Sequence, residues 1–131
     1  MKFFVDNCLA IKHARALNAL VEPDHKIIHL RDKFSPETHD EIWLDKLAKE
    51  GDWIVISGDY RIGRSAHEKQ AWHKSGLTAF FLAKRWMNLP LMEQHAKLSH
   101  CLPKILENAE RVKAGSGFLV SVNGKIKQIY S

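Results

Sequence analysis

Three aspartates are spaced for metal-assisted chemistry. Phe3-Phe4-Val5 is an apolar run that ends in Asp6-Asn7, and Trp53-Ile54-Val55-Ile56 is another that ends in Ser57-Gly58-Asp59. Both runs are too short for helices, and the second is rich in β-branched residues, so each reads as a strand buried on both faces. Each strand delivers a carboxylate just past its C-terminal end, the edge at which open parallel sheets bind ligands. The third acid is Asp40. On a helix over 35–50, Asp40, Trp43, Leu44 and Leu47 share one face, while Glu41, Asp45 and Lys49 fall on another with the spacing of exposed ion pairs. Asp40 therefore heads the apolar stripe, at the helix end that lies over the same sheet edge.

Carboxylates gathered in one cleft repel each other, and a divalent cation relieves the cost. Carboxylate oxygens and water suit Mg²⁺ or Mn²⁺, whereas zinc favours imidazole and thiolate. An ion held by few carboxylates keeps open positions and can activate a water against a phosphodiester. The expected metal ligands and catalytic groups are thus Asp6, Asp40 and Asp59. Arg61 and Arg64, in the basic loop after Asp59, would grip the phosphate backbone as fork donors, and Lys84 and Arg85 extend that track after the next strand. The alternative for each acid taken alone is local: an Asp after a strand also forms turns and caps helices.

The elements that must position these groups alternate along the chain. The strand over 2–6 is followed by a helix on which Ala10, Ala14, Leu17 and Val21 share a face, stopped by Pro23-Asp24. A second strand covers 26–30, and Arg31-Asp32-Lys33-Phe34 reads as a loop. Ser35 as N-cap, Pro36 at the first helical position and Glu37 at the positive dipole end predict a helix to about Glu50, closed by Gly51. After the Trp53–Ile56 strand come a helix over 66–74, capped by Ser65 and closed by Gly76, and a strand over 77–82. The order βαβαβαβ predicts a mainly parallel sheet with helices on both faces. The stretch from Pro90 to about Arg111 is helical, with Pro103 expected to break it in two. Asn123-Gly124 between two apolar runs predicts a C-terminal β-hairpin.

At 131 residues, 45% hydrophobic and 27% charged, the chain reads as one globular domain over 1–131, neither disordered nor membrane-spanning. The acid at position 6 comes too early for a signal peptide, and Cys8 and Cys101 are too few for a disulfide framework, which predicts a cytoplasmic setting. A net charge of +5 favours an anionic partner, with nucleic acid first. The histidines form no HExxH pattern and read as surface or partner-satisfied residues. Glycines form neither a GxGxxG nor a Walker loop. Trp86, next to Lys84-Arg85, is the aromatic most suited to an RNA contact.

Several blocks resemble a known family. Phe3-Phe4-Val5-Asp6-Asn7 resembles the opening strand of PIN-like domains. Thr38-His39-Asp40-Glu41-Ile42-Trp43-Leu44 and the stretch from Trp53 to Ile62 resemble the middle and third blocks of a compact branch associated with VapC-type toxins of bacterial toxin–antitoxin pairs. The resemblance implies a three-layer α/β fold, a Mg²⁺- or Mn²⁺-dependent ribonuclease with an acidic cleft, homodimers, and a small antitoxin partner in operon pairs. Carried over, it adds Glu41 and Glu68 as candidate ligands beside Asp6, Asp40 and Asp59. Asn7 stands where many relatives carry a second acid, able to bind metal through its carbonyl oxygen, and Tyr60-Arg61 stand where a fourth acid often lies. Those two departures set up a rival reading: a PIN-like module that binds protein or RNA without cutting it.

Overall fold

The computed structural model describes residues 1–59 and 66–131. The chain builds β1 (Lys2–Val5), α1 (Ile11–Val21), β2 (Lys26–His29), α2 (Leu30–Lys33), α3 (Asp40–Glu50), β3 (Trp53–Ser57), α4 (Ala66–Ser75), β4 (Thr78–Leu82), a 3-10 turn (Lys84–Asn88), α5 (Leu91–Arg111), β5 (Gly117–Val120) and β6 (Ile126–Tyr130). The six strands form one sheet in the order β2-β1-β3-β4-β5-β6. Every pairing is parallel except β5 with β6, the C-terminal hairpin that extends the sheet edge.

Alternation along the strands sorts side chains between two cores. Phe3, Val5, Ile54, Ile56, Phe80 and Leu82 pack beneath α1 and α5. Phe4, Val55, Ala79 and Phe81 face the other way, against Leu30 of α2, Trp43 and Leu47 of α3, and Trp72 of α4. The result is a three-layer α/β fold with helices on both faces. The Phe4 ring, tilted against Trp43 at 5.0 Å between centroids, ties β1 to α3.

The sheet order matters for the site. From β1 the chain moves to one side to make β2, then crosses back to make β3 on the other side of β1. Reversal of this kind opens a crevice at the carboxyl ends of the two strands, here between Asp6 and Asp59.

Three local expectations are corrected. Residues 30–33 form a short helix rather than a loop, because His29 caps it: its Nδ1 accepts from the Arg31 amide at 3.1 Å, and Asp32 accepts from the His29 amide at 3.1 Å. The next helix begins at Asp40, not near Ser35. The Ser35 hydroxyl donates to Glu37 instead of capping, and the Thr38 amide closes a turn on the Ser35 carbonyl at 3.0 Å. Pro103 does not divide α5, which runs unbroken from Leu91 to Arg111. Pro103 is exposed, while Cys101, Leu102 and Ile105 beside it are buried and hold the helix to the sheet. A carbonyl freed on the solvent side turns to water, so the loss is tolerated.

Between α1 and α5 lies a buried polar chain. The Gln94 Nε2 donates to the Trp86 carbonyl at 2.7 Å, so its oxygen faces His13 and accepts from His13 Nε2 at 2.7 Å. His13 Nδ1 is then an acceptor in the neutral ring and accepts a hydrogen bond from His95 Nδ1–H at 3.0 Å. Burial pushes the His13 pKa down, opposed by the Gln94 bond and reinforced by His95. In the unfolded chain His13 titrates near the ordinary 6.5, whereas the folded chain resists the proton. Below that pH the unfolded state is therefore favoured increasingly. Melting temperature is expected to fall by a few degrees between pH 7.5 and 5.5, with a shallower fall in His13→Leu, measured by circular dichroism. Among the described residues no helix is long and apolar enough to cross a membrane.

Candidate functional site

The parallel register sets Val5 level with Ile56, so the two chains leave the sheet together. The Asp6 amide continues the ladder to the Ile56 carbonyl at 3.3 Å, which places the Asp6 side chain beside Ser57. One carboxylate oxygen accepts from the amides of Cys8 at 3.1 Å and Gly58 at 3.3 Å, and the other accepts from the Ser57 hydroxyl. Ser57 Oγ in turn accepts from the Asp59 amide at 3.0 Å. One hydroxyl thus ties the acid after β1 to the acid after β3. Burial pushes the Asp6 carboxyl above the ordinary 3.8; the three hydrogen bonds pull it back, and the charge of Asp40 raises it further.

An open cleft of about 510 Å³ lies at this edge, on the face carrying α3 and α4. Asp40 and Glu41 reach it from the first turn of α3, Asp59 from the end of β3, and Glu68 from the first turn of α4, with His39 and Trp72 on the wall. The Trp43 indole N–H donates to Asp40 Oδ1 at 3.1 Å and so orients that carboxylate from within the core. Asp45 pairs with Lys49 at 3.0 Å, one helical turn away and outside the cleft.

Four sequence-derived acids therefore share one cleft: Asp40, Glu41, Asp59 and Glu68. Asp6 does not line it but lies buried at the joint of β1 and β3, within electrostatic range of Asp40. Asn7 is exposed, its amide donating to the Pro36 carbonyl at 2.8 Å, and it borders a neighbouring pocket with Cys8. Lys84 and Arg85 are exposed just past β4, while Arg61 and Arg64 lie outside the described residues, as does the Ser65 cap. Trp86 is fully buried with its indole N–H on the Val120 carbonyl at 3.0 Å, so it offers no surface to RNA. Two contributors went unassigned in the sequence: Ser57, a polar residue closing an apolar strand two places before an acid, and Gly58.

Gly58 is required by a close approach. A Cβ there would stand 2.6 Å from the Cys8 Cβ and 3.1 Å from the end of Met87. Gly58→Ala is expected to cost about 1–3 kcal/mol in urea denaturation. Because the collision is with a β-carbon, Cys8→Gly in the same chain should recover much of the loss, and Cys8→Ala should recover none.

The donor set suits a hard dication: the described lining offers four carboxylates and one imidazole. Among the described residues no three acids, histidines or cysteines are gathered closely enough to hold an ion as they stand. A family model described as a PIN like domain matches residues 1–84. The chain belongs to the PIN-like domain family. The matched span carries β1 to β4 and every acid of the cleft, whereas α5 and the β5–β6 hairpin lie beyond it. No curated protein and no solved structure matches this PIN-like domain. PIN-like domains are commonly nucleases.

Proposed function

We propose that this PIN-like domain is a metal-dependent endoribonuclease acting as the toxin of a bacterial toxin–antitoxin pair. The observation that carries the reading is the convergence of Asp40, Glu41, Asp59 and Glu68, from three elements remote in sequence, on one open cleft at the strand-order reversal. Asp40 and Asp59, with Asp6 behind them, would hold Mg²⁺ or Mn²⁺, and Glu41 and Glu68 would complete the oxygen shell. When bound, the ion supplies an activated water and charge stabilisation for phosphodiester hydrolysis. Ser57 fixes Asp6 relative to Asp59, Trp43 holds Asp40, and His39 on the wall would meet substrate. Exposed Lys84 and Arg85, with Arg61 and Arg64, provide positive charge for the backbone. The pairing with an antitoxin and the homodimer rest on the resemblance of the Asp40 and Asp59 blocks to the VapC-type branch.

A second reading, a binding module without catalysis, is favoured by one observation: both Asp6 oxygens already have hydrogen-bond partners. The test is cleavage of a labelled RNA with Mn²⁺ and its loss in EDTA, together with calorimetry. The nuclease reading expects Mn²⁺ uptake and cleavage restored on adding the ion back. Absence of both leaves the binding module. For the toxin role, expression of the chain alone should arrest growth, and co-expression of a small protein encoded beside it should relieve the arrest.

A further inference from the structure

Next to the acidic cleft, and sharing Thr38 and His39 with it, is a second groove of about 450 Å³ that carries two lysines. Its walls are Lys33, Phe34, Ile42 and Lys46, with Glu37 at the rim. Phe34 is half-buried and anchored edge-on against Phe4 at 5.9 Å, so it forms a fixed apolar floor. The ammonium groups of Lys33 and Lys46 stand 5.8 and 5.9 Å from the centre of its ring. Ile42, 47% exposed, lies one helical turn before Lys46 on the same face of α3.

The two lysines are not equivalent. Lys33 is paired with Glu50 at 2.9 Å, and the Glu50 carboxylate also accepts from the Trp53 indole at 2.9 Å. Glu50 would be the natural partner of Lys46, four residues away, but it is committed elsewhere. Lys46 has no ion pair among the described residues. Glu37, the acid of the groove, accepts from the Ser35 hydroxyl, which favours its charged form, and it forms no ion pair with Lys46. An exposed ammonium next to an apolar floor recognises a group that is anionic on one side and flat or apolar on the other.

We propose that this groove is a nucleotide subsite for single-stranded RNA, seating the unit next to the scissile bond, with Lys46 on its phosphate and Ile42 and Phe34 against its sugar and base. The inference rests on the nuclease reading for its substrate class. A strand whose phosphodiester lies in the carboxylate cleft must cross the neighbouring surface, and this groove adjoins the cleft through Thr38 and His39 and offers the Lys46 ammonium. An acidic protein segment is the competing occupant.

Binding and turnover test this separately. Filter binding of a single-stranded RNA of about ten nucleotides, in an Asp59→Asn background and in EDTA to suppress cutting, should weaken about tenfold on Lys46→Glu and several-fold on Ile42→Ser. Lys46→Ala should lower the slope of log affinity against log salt by about one. Lys104→Glu, on the outer side of α5, is the control. In the cutting chain, Lys46→Glu should raise KM for RNA with kcat little changed. Hydrolysis of bis(p-nitrophenyl) phosphate with Mn²⁺ by the unaltered chain reports on the cleft alone. If that hydrolysis fails while RNA binding still depends on Lys46, the nuclease reading falls and the subsite stands. Cleavage with no response to Lys46→Glu, or no RNA binding at all, overturns the subsite. Unchanged RNA binding with lost capture of a small acidic protein would assign the groove to protein instead.

Discussion

Replacing Asp59 by Asn is expected to lower Mn²⁺-dependent RNA cleavage by about a hundredfold to a thousandfold while the chain still folds. Asparagine keeps the shape of the side chain and removes its charge. Asp59 is the cleft acid supplied directly by the sheet, immediately after the fully buried strand β3. Its amide is held by Ser57 Oγ, a contact the substitution leaves intact. The melting temperature should move little, since the substitution keeps the shape of the side chain and the amide contact. Steady-state cleavage of a labelled RNA, alongside a circular dichroism melt, reads both. Full activity in a folded Asp59→Asn protein would remove Asp59 from the mechanism.

Ser57→Ala is expected to destabilise the chain by about 2–4 kcal/mol, because a buried carboxylate and a part-buried amide lose a partner at once. Asp6 loses the donor to one carboxylate oxygen, and the Asp59 amide loses its acceptor. The pH dependence distinguishes this from simple packing loss. The Asp6 carboxyl already sits above its ordinary value through burial, and Ser57 is the strongest of the groups pulling it down. Without that hydroxyl it rises further. A raised folded pKa means the folded chain gains stability as pH falls through it and loses that stability as pH rises. The deficit of Ser57→Ala should thus be largest near neutral pH and shrink towards acid. The acid limb of any Mn²⁺-dependent activity should move to higher pH for the same reason. Urea denaturation at several pH values measures the first effect; a pH–rate profile measures the second. A deficit constant with pH would mean that the hydroxyl does not act through Asp6.

The central strands were legible because they are short apolar runs buried on both faces, and Trp53–Ile56 and Leu77–Leu82 could hardly be anything else. The gathering of Asp40 and Asp59 was legible from strand-end logic for Asp59 and from helical periodicity for Asp40. What the sequence hid depends on register and on competition among local bonds. Asp6 lies buried beside Ser57 only because Val5 pairs with Ile56. Ser35-Pro36-Glu37 carries every mark of a helix start, yet its hydroxyl is spent on Glu37 and the helix waits until Asp40. Pro103 has no structural voice in sequence beyond its missing amide; tertiary packing of α5 outweighs it. His13 looked like one scattered histidine, and only the α1–α5 contact shows it at the centre of a buried chain of donors and acceptors.

The indole that steadies Asp40 has an optical consequence. Of the four tryptophans, Trp43 is bonded to Asp40 and Trp72 lines the cleft, whereas Trp53 answers to Glu50 and Trp86 to a β5 carbonyl. A charge arriving among the carboxylates perturbs the first two chromophores and leaves the others in the dark. Intrinsic emission is therefore expected to shift when the cleft is filled, with no dye and no label.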